Sequence, residues 1–324
     1  MAHHRDVAAT MERHQVAIYL GAIVVGTVIG LAAPGTTSGL DVAINPAIAV
    51  LLYVTFLQVP VRSLTEALRD TRFMAAVLTV NFVAVPLLVA VMFPLLPNDD
   101  AIRIGVLLVL LCPCVDYVIV FSRLAGADHR RLLAATPILL IAQMALLPVY
   151  LSVFVGGDLA AVVDVGPFVT AFVVLIAIPL ASAWLTQWAA DRLPRVQRVR
   201  TGADLTMVPL MVIVLVVVTA SQIHTLDGYV RDVAAVVPVY GAFLVVMPIV
   251  GVSVARLLRL GPAQRRAVAF SGATRNSLVV LPLALSLPAA YDLAGSVVIT
   301  QTLVEIVGMV VLVAVFRRVG RSRP

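Results

Sequence analysis

Ten apolar runs of about twenty residues each, separated by short charged or Gly/Pro-rich stretches, restrict this chain to folds that cross a lipid bilayer. The runs cover about Val16–Pro34, Val42–Val59, Phe73–Leu96, Ile104–Leu124, Leu132–Val155, Pro167–Trp188, Asp204–Ser221, Val233–Leu258, Ala267–Leu287 and Gly295–Phe316, segments 1 to 10 in order. At about 1.5 Å of rise per residue, each is close to the thickness of the hydrocarbon core. Composition agrees: 61% of the 324 residues are hydrophobic and 12% charged, where soluble chains carry about a quarter charged. No loop exceeds about twenty residues, so the expectation is one integral membrane domain spanning 1–324. The polar, acid-containing flank before segment 1 fits a retained span better than a cleaved signal sequence.

Arginine placement orients the segments. The 23 basic residues are all arginine. The stretch before segment 1, the 2–3, 4–5, 6–7 and 8–9 loops and the stretch after segment 10 carry 2, 3, 3, 4, 4 and 4 arginines, 20 in all. The opposite loops carry only Arg103 and Arg231, together with acids such as Asp41, Asp99, Asp100, Asp158, Asp164, Asp227, Asp232 and Asp292. By the positive-inside rule both termini are expected in the cytoplasm, with the chain multi-pass in the plasma (inner) membrane. These arginines therefore report topology, and no nucleic-acid partner is expected. The absence of lysine excludes a retinal or pyridoxal Schiff base and a Walker A site, so neither a cofactor nor an ATPase subunit is expected. The five histidines all fall outside the apolar runs and form no HExxH pair, which excludes an intramembrane zinc protease. An enzyme is not expected.

The halves of the chain look related. Phe82-Val83-Ala84-Val85-Pro86 in segment 3 is matched by Phe243-Leu244-Val245-Val246-Met247-Pro248 in segment 8, the prolines 162 residues apart. Segments 4 and 9, which follow, both carry polar interruptions. Five spans per half is an odd number, so the second half enters from the other side. The expected fold is all-α and polytopic: ten transmembrane helices in two inverted five-helix repeats, about 16–155 and 167–316, with helices 4 and 9 broken.

The twenty-third arginine, Arg275, lies inside segment 9. Asp116 in segment 4 and Glu305 in segment 10 also fall near mid-membrane. Ionisable groups there cost at least ~2.5–3.5 kcal/mol each on insertion scales, so they pair with one another and mark function. Two acids against one base leave a carboxyl able to hold a proton; a purely structural ion pair is the plainer reading. Cys112-Pro113-Cys114 interrupts segment 4, and Ser271-Gly272-Ala273-Thr274-Arg275-Asn276-Ser277 interrupts segment 9. Proline frees backbone carbonyls at membrane depth, which is tolerated where they line a cavity. Asn81, Gln143, Thr300, Gln301 and Thr302 are further residues able to line that space or to join helices by hydrogen bonds. The two cysteines are either small packed apolar groups or soft ligands for a thiophilic ion.

At these residues the sequence resembles the bile acid/sodium symporter superfamily, and within it the arsenite efflux permeases. Pro113-Cys114-Val115-Asp116-Tyr117-Val118-Ile119-Val120-Phe121 through Gly126-Ala127-Asp128 is similar to the permeases' segment 4 motif, P-C-T-A-M-V-x-V-W-x-x-L-x-x-G-D. Asn81 to Pro86 is similar to the family's N-x-x-x-x-P, and Asn276 with Leu283-Ala284-Leu285 to its second crossing helix. The resemblance implies core and panel domains and a substrate site beside the crossing of segments 4 and 9. It implies that Cys114 is the cysteine on which the arsenite permeases depend. Two departures bear on mechanism. Sodium-coupled members offer Ser-Asn where this chain has Val118-Ile119, and their E-T-G-x-Q-N reads Ser271-Gly272-Ala273-Thr274-Arg275-Asn276, placing a guanidinium where sodium would sit. The permeases' segment 9 glutamate is Ser277 here, and Asp116 is an added acid.

The expected function is proton-coupled efflux of trivalent arsenic or antimony. Its expected binding residues are Cys114, Cys112, Asn81, Asn276 and Ser277, with Cys114 as the transient ligand to the metalloid cargo. Asp116, Arg275 and Glu305 are expected to carry charge and coupling. The alternative is a sodium-independent, proton-coupled carrier of a small organic anion whose carboxylate pairs with Arg275. A receptor or scaffold of the membrane is a third reading, disfavoured because it gains nothing from broken, charged central helices. Solute, protons and membrane lipid are the expected partners.

Overall fold

Within hydrocarbon a single segment can satisfy its own backbone only as a helix. The computed structural model describes residues 2–33, 39–57, 69–115, 117–155, 170, 173–222, 230–285 and 287–321. Its elements in chain order are α1 (Ala2–Ala32), α2 (Asp41–Leu57), α3 (Thr71–Thr79), a π-helical turn (Val80–Ala84) and α4 (Val85–Met92). Then come α5 (Asp100–Leu110), α6 (Tyr117–Leu124), α7 (His129–Val155), a second π turn (Val173–Ala177), α8 (Ile178–Ala190) and α9 (Pro194–Gln222). The remainder are α10 (Val230–Ala234), α11 (Val237–Leu257), α12 (Pro262–Ala273), α13 (Ser277–Leu285) and α14 (Leu293–Arg321).

Four stretches are long and apolar enough to cross a membrane unbroken: Thr71–Leu95, His129–Val155, Val237–Leu257 and Leu293–Arg318. Shorter apolar helices cover Ala17–Ala32, Pro46–Leu57 and Val208–Ser221. Segments 4 and 9 are absent from both groups for a physical reason. Each is two half-helices with a break, α5 and α6 for one, α12 and α13 for the other. Helices α1 and α9 begin earlier than segments 1 and 7, because polar residues at a span's end continue a helix in water as readily as apolar ones. Large apolar side chains such as Leu87, Val91, Val153, Val245 and Ile249 stand more than half exposed. In an aqueous protein such surface would need covering; on spanning helices it is the lipid-facing side.

The chain divides into two compact units. Met1–Pro60 with Gly166–Asp227 forms the first. There α2 packs on α8 and α9, and α9 on α1. The Tyr53 and Thr186 hydroxyls hydrogen-bond at 2.9 Å. Gln187 Nε2 donates to the carbonyls of Phe56 and Leu57, both at 3.2 Å, capping the C-terminal end of α2.

Val61–Val165 with Gly228–Pro324 forms the second unit and holds both broken helices. Helix α14 packs on α5, α11 and α13, and α12 on α11, α3 and α6. Two of the unit's glycines permit close approaches that bear on the broken helices. A Cβ at Gly105 of α5 would meet the Ala294 carbonyl at 2.9 Å, and one at Gly272 of α12 would stand 2.5 Å from Val80 Cγ1. At one end, Arg131 bonds Asp70 at 2.5 Å and Asp128 at 3.2 Å, tying the starts of α3 and α7.

The two related prolines sit in different backbones. Pro86 follows a π turn, whereas α11 runs as regular helix through Pro248. A proline ring crowds the carbonyl four residues earlier. For Pro86 that carbonyl belongs to Phe82, within the π turn, and it accepts from the Tyr150 hydroxyl at 2.7 Å. The second π turn likewise ends two residues before a proline, Pro179.

Candidate functional site

The breaks of segments 4 and 9 meet. After α5 the chain bends at Cys112 and leaves the helix through Pro113 and Cys114; after α12 it leaves it at the extended Thr274 and continues through Arg275 and Asn276. The two stretches pair antiparallel at Pro113 and Arg275. Cys114 N donates to the Thr274 carbonyl at 3.3 Å, and Asn276 N to the Cys112 carbonyl at 2.8 Å. Pro113 has no N–H to offer, so it fits the position whose nitrogen the pairing does not use. The backbone groups set free by two broken helices thus satisfy each other at membrane depth.

Arg275 fills the centre. Its side chain is 0% exposed. Nη1 donates to the Leu110 carbonyl at 3.1 Å; Nη2 donates at 2.8 Å to the carbonyls of Ser271 and Gly272 and to Asn81 Oδ1. Leu110 ends α5, and Ser271 and Gly272 lie in the last turn of α12. One guanidinium therefore sits on the negative ends of two half-helices, where a cation is favoured. The Phe243 ring of α11 lies 5.4 Å from the guanidinium carbon and adds a cation–π contact.

Asn81 is placed for this by its π turn. Its Nδ2 donates to the Val77 carbonyl and to Ser271 Oγ, both at 2.9 Å. Glu305, also 0% exposed, meets Arg275 at the backbone: Oε2 accepts from Arg275 N at 2.8 Å and from Gln301 Nε2.

On the other side of the pairing, Asn276 caps α13, its Oδ1 accepting from Val279 N at 3.3 Å. Asn276 Nδ2 and Ser277 Oγ are buried without a partner among the described residues. Cys112 and Cys114 are buried thiols at 0% exposure, neither in a disulfide. The crossing thus presents two buried sulfurs, an amide and a hydroxyl beside the positive N-terminal end of a half-helix.

The expected site residues Cys112, Cys114, Asn81, Asn276, Ser277, Arg275 and Glu305 all belong to this one region. Asp116 lies outside the described residues, as do the loop acids Asp158, Asp164 and Asp227. Thr300 and Thr302 bond back to the carbonyls of Ser296 and Val298 in their own helix. Gln143 is buried in α7 with neither amide atom partnered among the described residues. Two contributors carry no sequence signal: the Leu110 carbonyl, a backbone atom of an apolar run, and Phe243, one aromatic among many apolar residues.

Broken helices crossing at membrane depth around buried charge define a multi-pass membrane protein of the transporter class. The chain belongs to the SBF-like CPA transporter family (DUF4137), whose profile it matches over residues 16–318. The likeness to bile acid/sodium symporters read from segments 3, 4 and 9 accords with that membership. No curated protein matches the chain.

Proposed function

We propose that this transporter couples proton movement to the export of trivalent arsenic or antimony, carried as the neutral hydroxide. Its ten spans form two inverted repeats in one plasma-membrane domain with both termini in the cytoplasm. The observation that carries the reading is the company at the crossing. Two buried thiols lie on one stretch, and on or beside the stretch paired with it stand the unpartnered Asn276 Nδ2 and Ser277 Oγ. The Cys114 thiol displaces one hydroxide from the cargo: an S–As bond forms, an As–O bond breaks, and the thiol proton leaves with the hydroxide as water. Asn276 and Ser277 hydrogen-bond the remaining hydroxyls. Cys112 supplies at most a second sulfur, so the cargo leaves more readily than from three thiolates. Asp116 is the coupling acid. Arg275 supports sodium independence, because a fixed cation already holds the carbonyls that a mobile one would seek.

A second reading, a proton-coupled carrier of a small organic anion, draws on the N-terminal end of α13. There the same unpartnered donors and the helix dipole suit an oxyanion. In this version Asn276 and Ser277 meet the carboxylate, since Arg275 Nη1 and Nη2 bond carbonyls and Asn81.

Expression in an arsenite-sensitive, efflux-deficient host tests the first reading. Tolerance and lowered cellular arsenic that disappear with Cys114→Ser are the expected result. Tolerance absent, or indifferent to Cys114→Ser, overturns the thiol mechanism. Carboxylate transport lost on Asn276→Ala without any arsenic phenotype favours the second reading.

A further inference from the structure

We propose that Glu305 and Gln301 form a second proton-binding site, in addition to Asp116, and that its proton acts on the crossing through the peptide N–H of Arg275. The proposal rests on proton coupling as inferred above. Glu305 lies in α14 without solvent exposure, and Gln301 stands one helical turn before it at 1% exposure. Gln301 Nε2 donates to Glu305 Oε2, while Gln301 Oε1 has no partner among the described residues.

A buried amide with one end engaged and the other empty has a matched second state. The amide oxygen and nitrogen are nearly equal in size, and the terminal torsion is broadly two-fold. Turning the amide over brings Oε1 to the carboxyl, an arrangement that is favourable only if the carboxyl carries a proton to donate. The pair therefore has a hydrogen bond for either protonation state: Nε2–H to the carboxylate, or carboxyl O–H to Oε1. The proton comes from water and returns to it; no other bond is made or broken.

The consequence falls on the crossing. Glu305 Oε2 also accepts Arg275 N at 2.8 Å, from the same peptide whose carbonyl, Thr274 O, accepts Cys114 N, one residue before Asn276 N bonds Cys112 O. A bond to a charged acceptor is roughly twice as strong as one to a neutral acceptor. Proton uptake thus loosens the hold of α14 on the extended stretch of segment 9. Among the described side chains, the elements packed on α14 carry Asp100 and Arg103 (α5), Arg123 (α6), Arg231 (α10), and Tyr240 and Arg256 (α11). The crossing adds Arg275, Cys112 and Cys114. The Tyr240 hydroxyl donates to the Val297 carbonyl of α14 at 3.1 Å. Arg275 meets Glu305 through its peptide N–H, while its Nη1 and Nη2 bond carbonyls and Asn81.

The test uses the full chain reconstituted in liposomes, with infrared difference spectra recorded across a pH titration in the absence of any solute. A protonated-carboxyl component should grow as pH falls, vanish in Glu305→Gln and persist in Asp116→Asn. In Gln301→Leu its midpoint should move by about 1 pH unit, since one charge-assisted hydrogen bond is lost. A component unchanged in Glu305→Gln, or a midpoint unmoved in Gln301→Leu, overturns the proposal; the second variant serves if the first does not fold. Because no solute is present, failure of arsenic transport with these spectra as expected removes the substrate reading and leaves the Glu305 site standing.

Discussion

Arg275 is buried without exposure and bonded to three carbonyls and one amide oxygen, so its removal leaves several acceptors stranded at once. Each hydrogen bond to a charged group is worth about 1.5–3 kcal/mol. Arg275→Leu should therefore lower thermal stability in detergent by at least about 3 kcal/mol. Arg275→Lys should recover only part of this, because an ammonium cannot reach both half-helix ends as the planar guanidinium does. A melting temperature equal to wild type in Arg275→Leu would show that water or lipid already satisfies those carbonyls. The Arg131–Asp70 bond, by contrast, joins side chains 49% and 30% exposed. Its loss in Arg131→Gln should change stability by less than about 1 kcal/mol, measured the same way. The buried arginine was legible in the sequence as a charge without a topological duty. Its partners were not, because most of them are backbone carbonyls that every residue possesses.

At the scale of elements, the breaks and the π turn do most to build the site. Pro113 marked the break in segment 4 in advance, and the polar run Ser271–Ser277 marked the one in segment 9. The antiparallel pairing between them was not visible, since it depends on which two segments lie side by side. The π turn was hidden behind a proline shared with segment 8. There Pro248 sits in unbroken helix, so the proline alone does not set the backbone. Around Pro86 the freed Phe82 carbonyl is taken by Tyr150, and Tyr150→Phe should cost about 1–2 kcal/mol of stability in a thermal melt. Gly272→Ala tests how tightly α12 must approach that turn. With a Cβ at 2.5 Å from Val80 Cγ1, overpacking of about 1–3 kcal/mol is expected, and transport should fall with it. A neutral outcome would mean that the π turn yields.

For the whole molecule, the tethered cation leads to a statement about energy coupling. Transport by reconstituted protein should respond to an imposed proton gradient and remain within about twofold when sodium is replaced by choline, because a change of 1.4 kcal/mol or more would appear as tenfold. A sodium requirement would mean that Arg275 leaves its carbonyls during the cycle. The first unit, held by Tyr53–Thr186 and the Gln187 cap, contains none of the expected site residues. Every described member of the candidate site lies in the second unit.

The sequence by itself determined that this chain is helical and membrane-spanning, that segments 4 and 9 are interrupted, and that Arg275 and Glu305 lie within apolar runs. Those properties follow from transfer free energy and backbone hydrogen bonding, which act residue by residue. Tertiary structure alone decided that Arg275 caps two half-helices, that Glu305 holds a peptide N–H, and that Asn276 and Ser277 are left with unpartnered polar atoms. Each of those depends on which elements become neighbours, and local composition does not encode that.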